Sequence, residues 1–409
     1  MREVLIDGAW VDACATAARE IHNPATLAPL GAVPECGAAD VARAVAAARA
    51  ALPRWREAPE TERAQRLAEV GARIRARGCD IALLVTQESG KPLCESLDDV
   101  DAAAACFEHH AESAFGVGGA ERRIGGVVAA IGSFDSPLVR IARTAAPVIA
   151  AGGTVVCKPP HENPLSSLML ADAYGALPRG VVNVITGGID TGSVLLHEAA
   201  AGEGEPRADA DSDAGAIESV VVLADADLDL AVAGVAWSRL RNAGQNPAAP
   251  GRIYVERAIA AAFADRIHEY VGFLEVGDPM KPDTDLGPLI SHEAARRVEG
   301  QVAYAVKDGA RLKLGGRTFR PWGLPGHFFQ PTILTDVRRA SAGTREPIAG
   351  PVLVIIPVAD AAEAIGFAID DEPRNAAIYT NDRQMAMRIG AHVEHVTRRK
   401  PQWFPYRDR

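Results

Sequence analysis

Cysteine, aromatic residues and long apolar runs are scarce in this sequence, and basic residues are outnumbered by acidic ones. The six cysteines (positions 14, 36, 79, 94, 106 and 157) form no CxxC pair and no Cys/His cluster. That argues against a disulfide framework or a metal site and fits a reducing cytoplasm. The formal net charge of −10 makes nucleic acid and anionic membrane poor partners. No apolar stretch is long enough to span a bilayer. The start, Met1-Arg2-Glu3-Val4-Leu5-Ile6-Asp7-Gly8, lacks the basic-then-apolar pattern of a signal peptide. Aromatics make up only 5% of 409 residues while Gly and Ala are abundant, so the helices are expected to pack closely through small side chains.

What is present is an alternation of helical and strand patterns. Val4 to Val11 reads as a hairpin around Asp7-Gly8. Ala38–Trp55 is an Ala-rich amphipathic helix. Pro59–Glu88 carries one long helical pattern, stopped by Gly90-Lys91-Pro92, and Glu95–Ala114 is the next helix. Val127–Ile131, Thr154–Cys157, Val182–Ile185 and Val220–Leu223 read as buried strands. Pro137–Ala150, Leu165–Tyr174 and Thr191–Ala200 read as helices between them. This alternation predicts mostly parallel, doubly wound sheets. A second α/β series follows, with strands near Arg252–Val255 and Pro351–Pro357 and a helix at Ala258–Phe273. Residues 201–217 are acidic and have almost no large apolar side chain, so they are expected to form a mobile loop.

Asn242-Ala243-Gly244-Gln245-Asn246-Pro247-Ala248-Ala249-Pro250-Gly251-Arg252 closely resembles the nucleophile loop of the aldehyde dehydrogenase superfamily, Asn-x-Gly-Gln-x-Cys-x-Ala-Pro-x-Arg. Further landmarks of that family follow in family order. They include Gly90-Lys91-Pro92-Leu93, Lys158-Pro159, Leu177-Pro178-Arg179-Gly180-Val181-Val182-Asn183-Val184, Val276-Gly277-Asp278-Pro279 and Leu286-Gly287-Pro288-Leu289. The resemblance covers nearly the whole chain. It implies an α/β aldehyde dehydrogenase-like fold with two doubly wound domains and an oligomerisation arm that is reduced or missing. The cofactor-binding-like domain is expected at 1–114 and 126–218, the catalytic-like domain at 219–394, and remnants of the arm at 115–125 and 395–409. The implied family reaction is NAD(P)-dependent aldehyde oxidation through a thiohemiacetal and a thioester.

Position by position, that chemistry is depleted. Pro247 stands where the resemblance places the catalytic cysteine, and proline has no atom that can attack a carbonyl and later leave as a thioester. The family's general-base glutamate falls on Asp213 or Glu218, both expected to be solvated loop residues. Asp135 occupies the place of the asparagine that would donate to the oxyanion. An ionised carboxylate only accepts, and losing such a donor costs about 3–4 kcal/mol in the transition state. Asn242 and Gln245 of the loop are kept. Cys106, on the helix that by resemblance lines the aldehyde tunnel, is either a packing residue or a substitute nucleophile. His109 and His110 follow on that helix, and one of them beside Asp135 would make an acid–base pair.

On the cofactor side, Lys158 matches the adenosine-ribose lysine of the family, but His161 replaces a glutamate. Pro347-Ile348-Ala349-Gly350-Pro351 replaces a stretch that carries a nicotinamide-ribose carboxylate, with Glu346 next to it. The phosphate-binding glycine turn is not found; the acidic 201–216 stretch takes its place. Each lost charged hydrogen bond removes about 1.5–3 kcal/mol. Three such losses turn micromolar binding into about millimolar binding or none, so NAD or NADP binding is expected to be weak or absent. These departures suggest a pseudoenzyme that binds a small molecule or a partner protein. The alternatives are non-redox chemistry in the old cleft, or an aldehyde dehydrogenase with a displaced nucleophile. The shortened arm implies a monomer or altered dimer. The tail, with Arg398, Arg399 and Lys400 beside Trp403, Phe404 and Tyr406, reads either as a docking strip or as cover for a sheet edge.

Overall fold

Short runs of Val, Ile and Ala separated by helices build two main sheets whose central strands are buried on both faces, beside a small hairpin sheet of Ala18–His22 and Pro29–Pro34. The computed structural model describes residues 3–113, 126–200, 218–371, 375–385 and 395–396. The chain divides into two compact units. The first comprises Met1–Asn23, Leu27–Ser89 and Leu93–Asp211; the second comprises Pro24–Thr26, Gly90–Pro92 and Ser212–Arg409. Residues 114–125, 201–217 and 397–409, which include the expected acidic loop, Asp213 and most of both arm remnants, lie outside the described residues.

Unit 1 runs through β1 (Glu3–Ile6), β2 (Ala9–Asp12), β3 (Ala18–His22), β4 (Pro29–Pro34), α1 (Ala38–Glu57), α2 (Glu60–Ala76), α3 (Gly78–Ser89) and α4 (Leu93–Ser113). It continues with β5 (Val127–Ile131), α5 (Val139–Ala150), β6 (Thr154–Lys158), α6 (Leu165–Ala171), β7 (Val182–Val184) and α7 (Ile189–Ala200). The main sheet has the order β2-β1-β7-β6-β5. β5, β6 and β7 are parallel, and the β1–β2 hairpin joins antiparallel. Successive strand residues face opposite sides. Val128, Ala130, Val155 and Cys157 therefore enter one core with α2 to α6, while Val127, Ala129 and Val156 enter another with α1 and α7. Two helix expectations need correction. The pattern from Pro59 to Glu88 is two helices that break at Arg77 and Gly78, where glycine lowers helix propensity. The helix expected over Leu165–Tyr174 ends at Ala171 and gives way to a tighter 3₁₀ turn through Gly175, with Pro178 shortly after.

Unit 2 contains β8 (Ser219–Val222), α8 (Leu228–Leu240), β9 (Arg252–Glu256), α9 (Arg257–Gly272), α10 (His292–Lys307) and β10 (Arg311–Leu314). β11 (Thr332–Thr335), β12 (Val352–Val358), α11 (Ala361–Asp370), β13 (Asn375–Tyr379) and β14 (His395–Val396) complete it. Its sheet has the order β10-β11-β12-β9-β8-β13-β14, parallel except for β10. Val220, Val222, Ile253 and Val255 pack toward α8 and α9, while Val221, Tyr254 and Val354 pack toward α10 and α11. Side-chain caps start α8 and α10: Asp227 accepts from the amides of Asp229 and Leu230 at 3.1 Å, and Ser291 accepts from Ala294 at 3.1 Å. His395 and Val396, inside the expected arm remnant, form the edge strand β14 beside β13. Among the described residues, no helix is long and apolar enough to cross a membrane.

Candidate functional site

The loop between α8 and β9 belongs to unit 2, and it is built around a left-handed turn. Asn242, Ala243 and Gly244 all have positive φ, at 50°, 51° and 70°. For the two non-glycine residues this conformation costs about 1–2 kcal/mol each. The surroundings hold it in place. Arg239, 2% exposed, donates to the carbonyls of Gly244 (3.0 Å), Gly350 (2.8 Å), Val352 (2.8 Å) and Ile348. Burial pulls its guanidinium down to about 10. Gln245 is buried; its amide donates to the Asn242 carbonyl at 3.0 Å and its Oε1 accepts from the Ile290 amide at 2.8 Å.

Pro247 is exposed, in a turn where Asn246 Oδ1 accepts from the Ala248 amide at 2.8 Å and the Asn246 carbonyl accepts from Ala249 at 2.9 Å. Proline suits that second turn position, where φ is fixed near −65° and no N–H is required. The loop closes onto β8, because the Glu218 carbonyl accepts from the Gly251 amide at 2.7 Å. Glu218 corrects an expectation: it is 7% exposed rather than solvated, since it leads directly into a strand buried on both faces. Glu346 is exposed, just before the Ile348–Gly350 segment that Arg239 binds. The structure thus gathers Asn242, Gln245, Pro247 and Glu218 into one loop region of unit 2.

The remaining candidates lie in unit 1. Lys158 is 5% exposed, at the end of β6. Its ammonium donates to the carbonyls of Pro159 (3.0 Å) and Gly187 (3.1 Å), and burial lowers its pKa. His161 Nε2 lies 3.1 Å from Glu35 Oε1, and the same carboxylate oxygen accepts from Arg19 at 2.8 Å. Asp135 accepts from the Ser133 hydroxyl. His109 and His110 are in edge contact, with ring centroids 5.2 Å apart. Burial, followed by the neighbouring His109, lowers the pKa of His110.

All six cysteines fall in unit 1. Burial pushes Cys157 up to about 12 and Cys36 up to about 11. It also raises Cys106, against a partial opposing effect of Arg143. Raised thiols are poor sources of the nucleophilic thiolate. Among the described residues, no group of three or more His, Cys, Asp or Glu is arranged to hold a metal ion.

The aldehyde dehydrogenase family model matches residues 10–202 and 207–397. The chain belongs to the aldehyde dehydrogenase family. Among its relatives, the glutarate-semialdehyde dehydrogenase of Pseudomonas aeruginosa is 33% identical over 96% of this chain and 88% of its own. The NADP(+) succinate-semialdehyde dehydrogenase of Escherichia coli is also 33% identical, over 96% of this chain and 88% of its own. The crystal structure of a succinate-semialdehyde dehydrogenase from Burkholderia pseudomallei superposes with a TM-score of 0.88 at 31% identity. It covers 97% of this chain and 89% of that one. The two doubly wound α/β units are thus the family's fold.

Sequence reasoning missed two supports of the family loop. Arg239 belongs to none of the sequence motifs described above. Asp371 is buried and accepts from Arg252, from Arg339 at 3.1 Å, from Tyr254 at 2.5 Å and from Ser219 at 3.0 Å. The only signal for Asp371 was its place in the acidic pair Asp370-Asp371, which is weak.

Proposed function

We propose that this chain is an aldehyde dehydrogenase family protein without aldehyde oxidation activity, which keeps the family scaffold to bind a small molecule or a partner protein. One observation carries this reading. Pro247 occupies the exposed turn of an otherwise family-like loop, in a unit whose sequence contains no cysteine. Cysteine chemistry requires a thiolate at the attacking position, and no neighbour in that unit can supply one.

The reading extends to the cofactor. Two of the groups that resemblance would offer a dinucleotide are already engaged. Lys158 donates to two carbonyls of its own unit, and His161 is paired with Glu35. Relatives are named as semialdehyde dehydrogenases, so succinate and glutarate semialdehydes are the substrates to try. With NAD+ or NADP+, we expect no absorbance increase from reduced nicotinamide above the protein-free control; turnover with either cofactor would overturn the reading. A thermal-shift screen against a metabolite panel identifies the ligand, since a compound that binds only the native state raises its stability. We also propose a monomer or altered dimer, to be checked by light scattering.

A further inference from the structure

Unit 2 holds a cavity of about 460 Å³ to which the Asn242–Gly251 loop contributes no lining residue. Its walls include Val271, Leu274 and Glu275 at and after the end of α9, Leu314 at the end of β10, and Phe319 and Trp322 from the following turn. This volume is in the range of small-molecule sites, about 300–1,000 Å³. Glu275 is the one ionisable side chain among the lining residues. Of the basic residues nearby, Lys313 is paired with Asp265 at 2.7 Å, and Arg317 and Arg320 are exposed.

Trp322 is unusual in two ways. It is 80% exposed, and its φ of +51° places it in the left-handed region, which bulky residues adopt only where the surroundings impose it. Its indole Nε1 donates to Glu275 Oε1 at 2.8 Å. Asp285 in turn accepts from the Glu275 amide at 2.8 Å, which adds negative charge. A strained, solvent-facing indole is therefore held beside a carboxylate on an open cavity of mixed polar and apolar lining. An aromatic face and a carboxylate both attract a cation and both disfavour an anion.

We propose that this cavity binds a small organic cation, an ammonium on an aromatic or alkyl body, with Glu275 pairing the charge and Trp322 and Phe319 covering the body. The probe is 2-phenylethylammonium, with neutral 2-phenylethanol as its counterpart, in calorimetric titrations of the full chain. Saturable binding of the ammonium is expected, with the alcohol at least about tenfold weaker. Glu275→Gln keeps an acceptor for the Trp322 indole but removes the charge, and should weaken ammonium binding at least about tenfold; Trp322→Ala should weaken it as well. Absence of saturable binding at millimolar ammonium overturns the proposal. So does equal affinity for the alcohol, or unchanged affinity in a folded Glu275→Gln variant. The alcohol comparison uses the unmodified chain, so it decides the charge requirement even if a variant fails to fold.

Discussion

A Cβ atom placed on Gly244 would lie 2.1 Å from the carbonyl oxygen of Gly350. That same oxygen accepts a hydrogen bond from Arg239 at 2.8 Å. The turn therefore approaches the segment before β12 as closely as backbone allows, and the approach is sealed by a buried guanidinium. Gly244→Ala must both adopt a φ of +70° and push this carbonyl away. The expected loss of stability is about 2–4 kcal/mol, read from urea denaturation. An unchanged midpoint would mean that the turn relaxes freely.

Asp371→Asn should also be costly. The Asp371 side chain is 2% exposed and that of Arg252 is 8% exposed, so removing the carboxylate charge leaves a buried cation without its partner. Breaking a buried pair in this way costs about 3–5 kcal/mol. A double-mutant cycle with Arg252→Met tests the coupling: if the pair acts as a unit, the two losses fall well short of adding.

Glu88 makes stability depend on pH. The side chain is 1% exposed, and burial pushes it from its ordinary 4.5 up to about 7, against the opposing bonds from the amides of Ser166 (2.8 Å) and Leu165 (2.7 Å). Between these values the native state holds a proton that the unfolded state has released. Stability from this group is therefore greatest below pH 4.5 and falls as pH rises to about 7. The total loss is about 3 kcal/mol. Glu88→Gln cannot titrate, so its stability relative to the parent should improve by that amount across the same window. Parallel curves of denaturation midpoint against pH would refute the assignment.

Pro247→Cys should not restore NAD(P)H formation from generic aldehydes, because Lys158 and His161 remain engaged within unit 1. The measurement is the absorbance of reduced nicotinamide with each cofactor. A clear cysteine-dependent rate would show that the thiol was the only missing part.

The local elements could be read from the sequence because their signals are local. The Asp7-Gly8 hairpin, the Ala-rich helix α1 and the buried strands β5, β6, β8 and β9 each follow from a short periodicity or a turn pair. The absence of cysteine from the loop was equally legible, since it is a matter of residue identity: no cysteine occurs after position 157. Breaks inside helices were less legible. The 59–88 pattern stays amphipathic across Arg77 and Gly78, so periodicity alone does not reveal the break. Glu218 was misread because an acid next to a low-complexity stretch looks solvated until the strand it enters is known to be buried.

What the sequence by itself determined is the fold, through ordered family landmarks, and the absence of a thiol at the loop. The tertiary structure alone decided what holds that loop and what else the fold encloses. Arg239 meets Val352, 113 positions away, and Asp371 gathers Ser219, Arg252 and Tyr254 from 152, 119 and 117 positions away. The cavity at Glu275 and Trp322 forms only where α9, β10 and the following turn come together. Such contacts have no repeat along the chain, because they arise from packing of distant elements rather than from backbone periodicity.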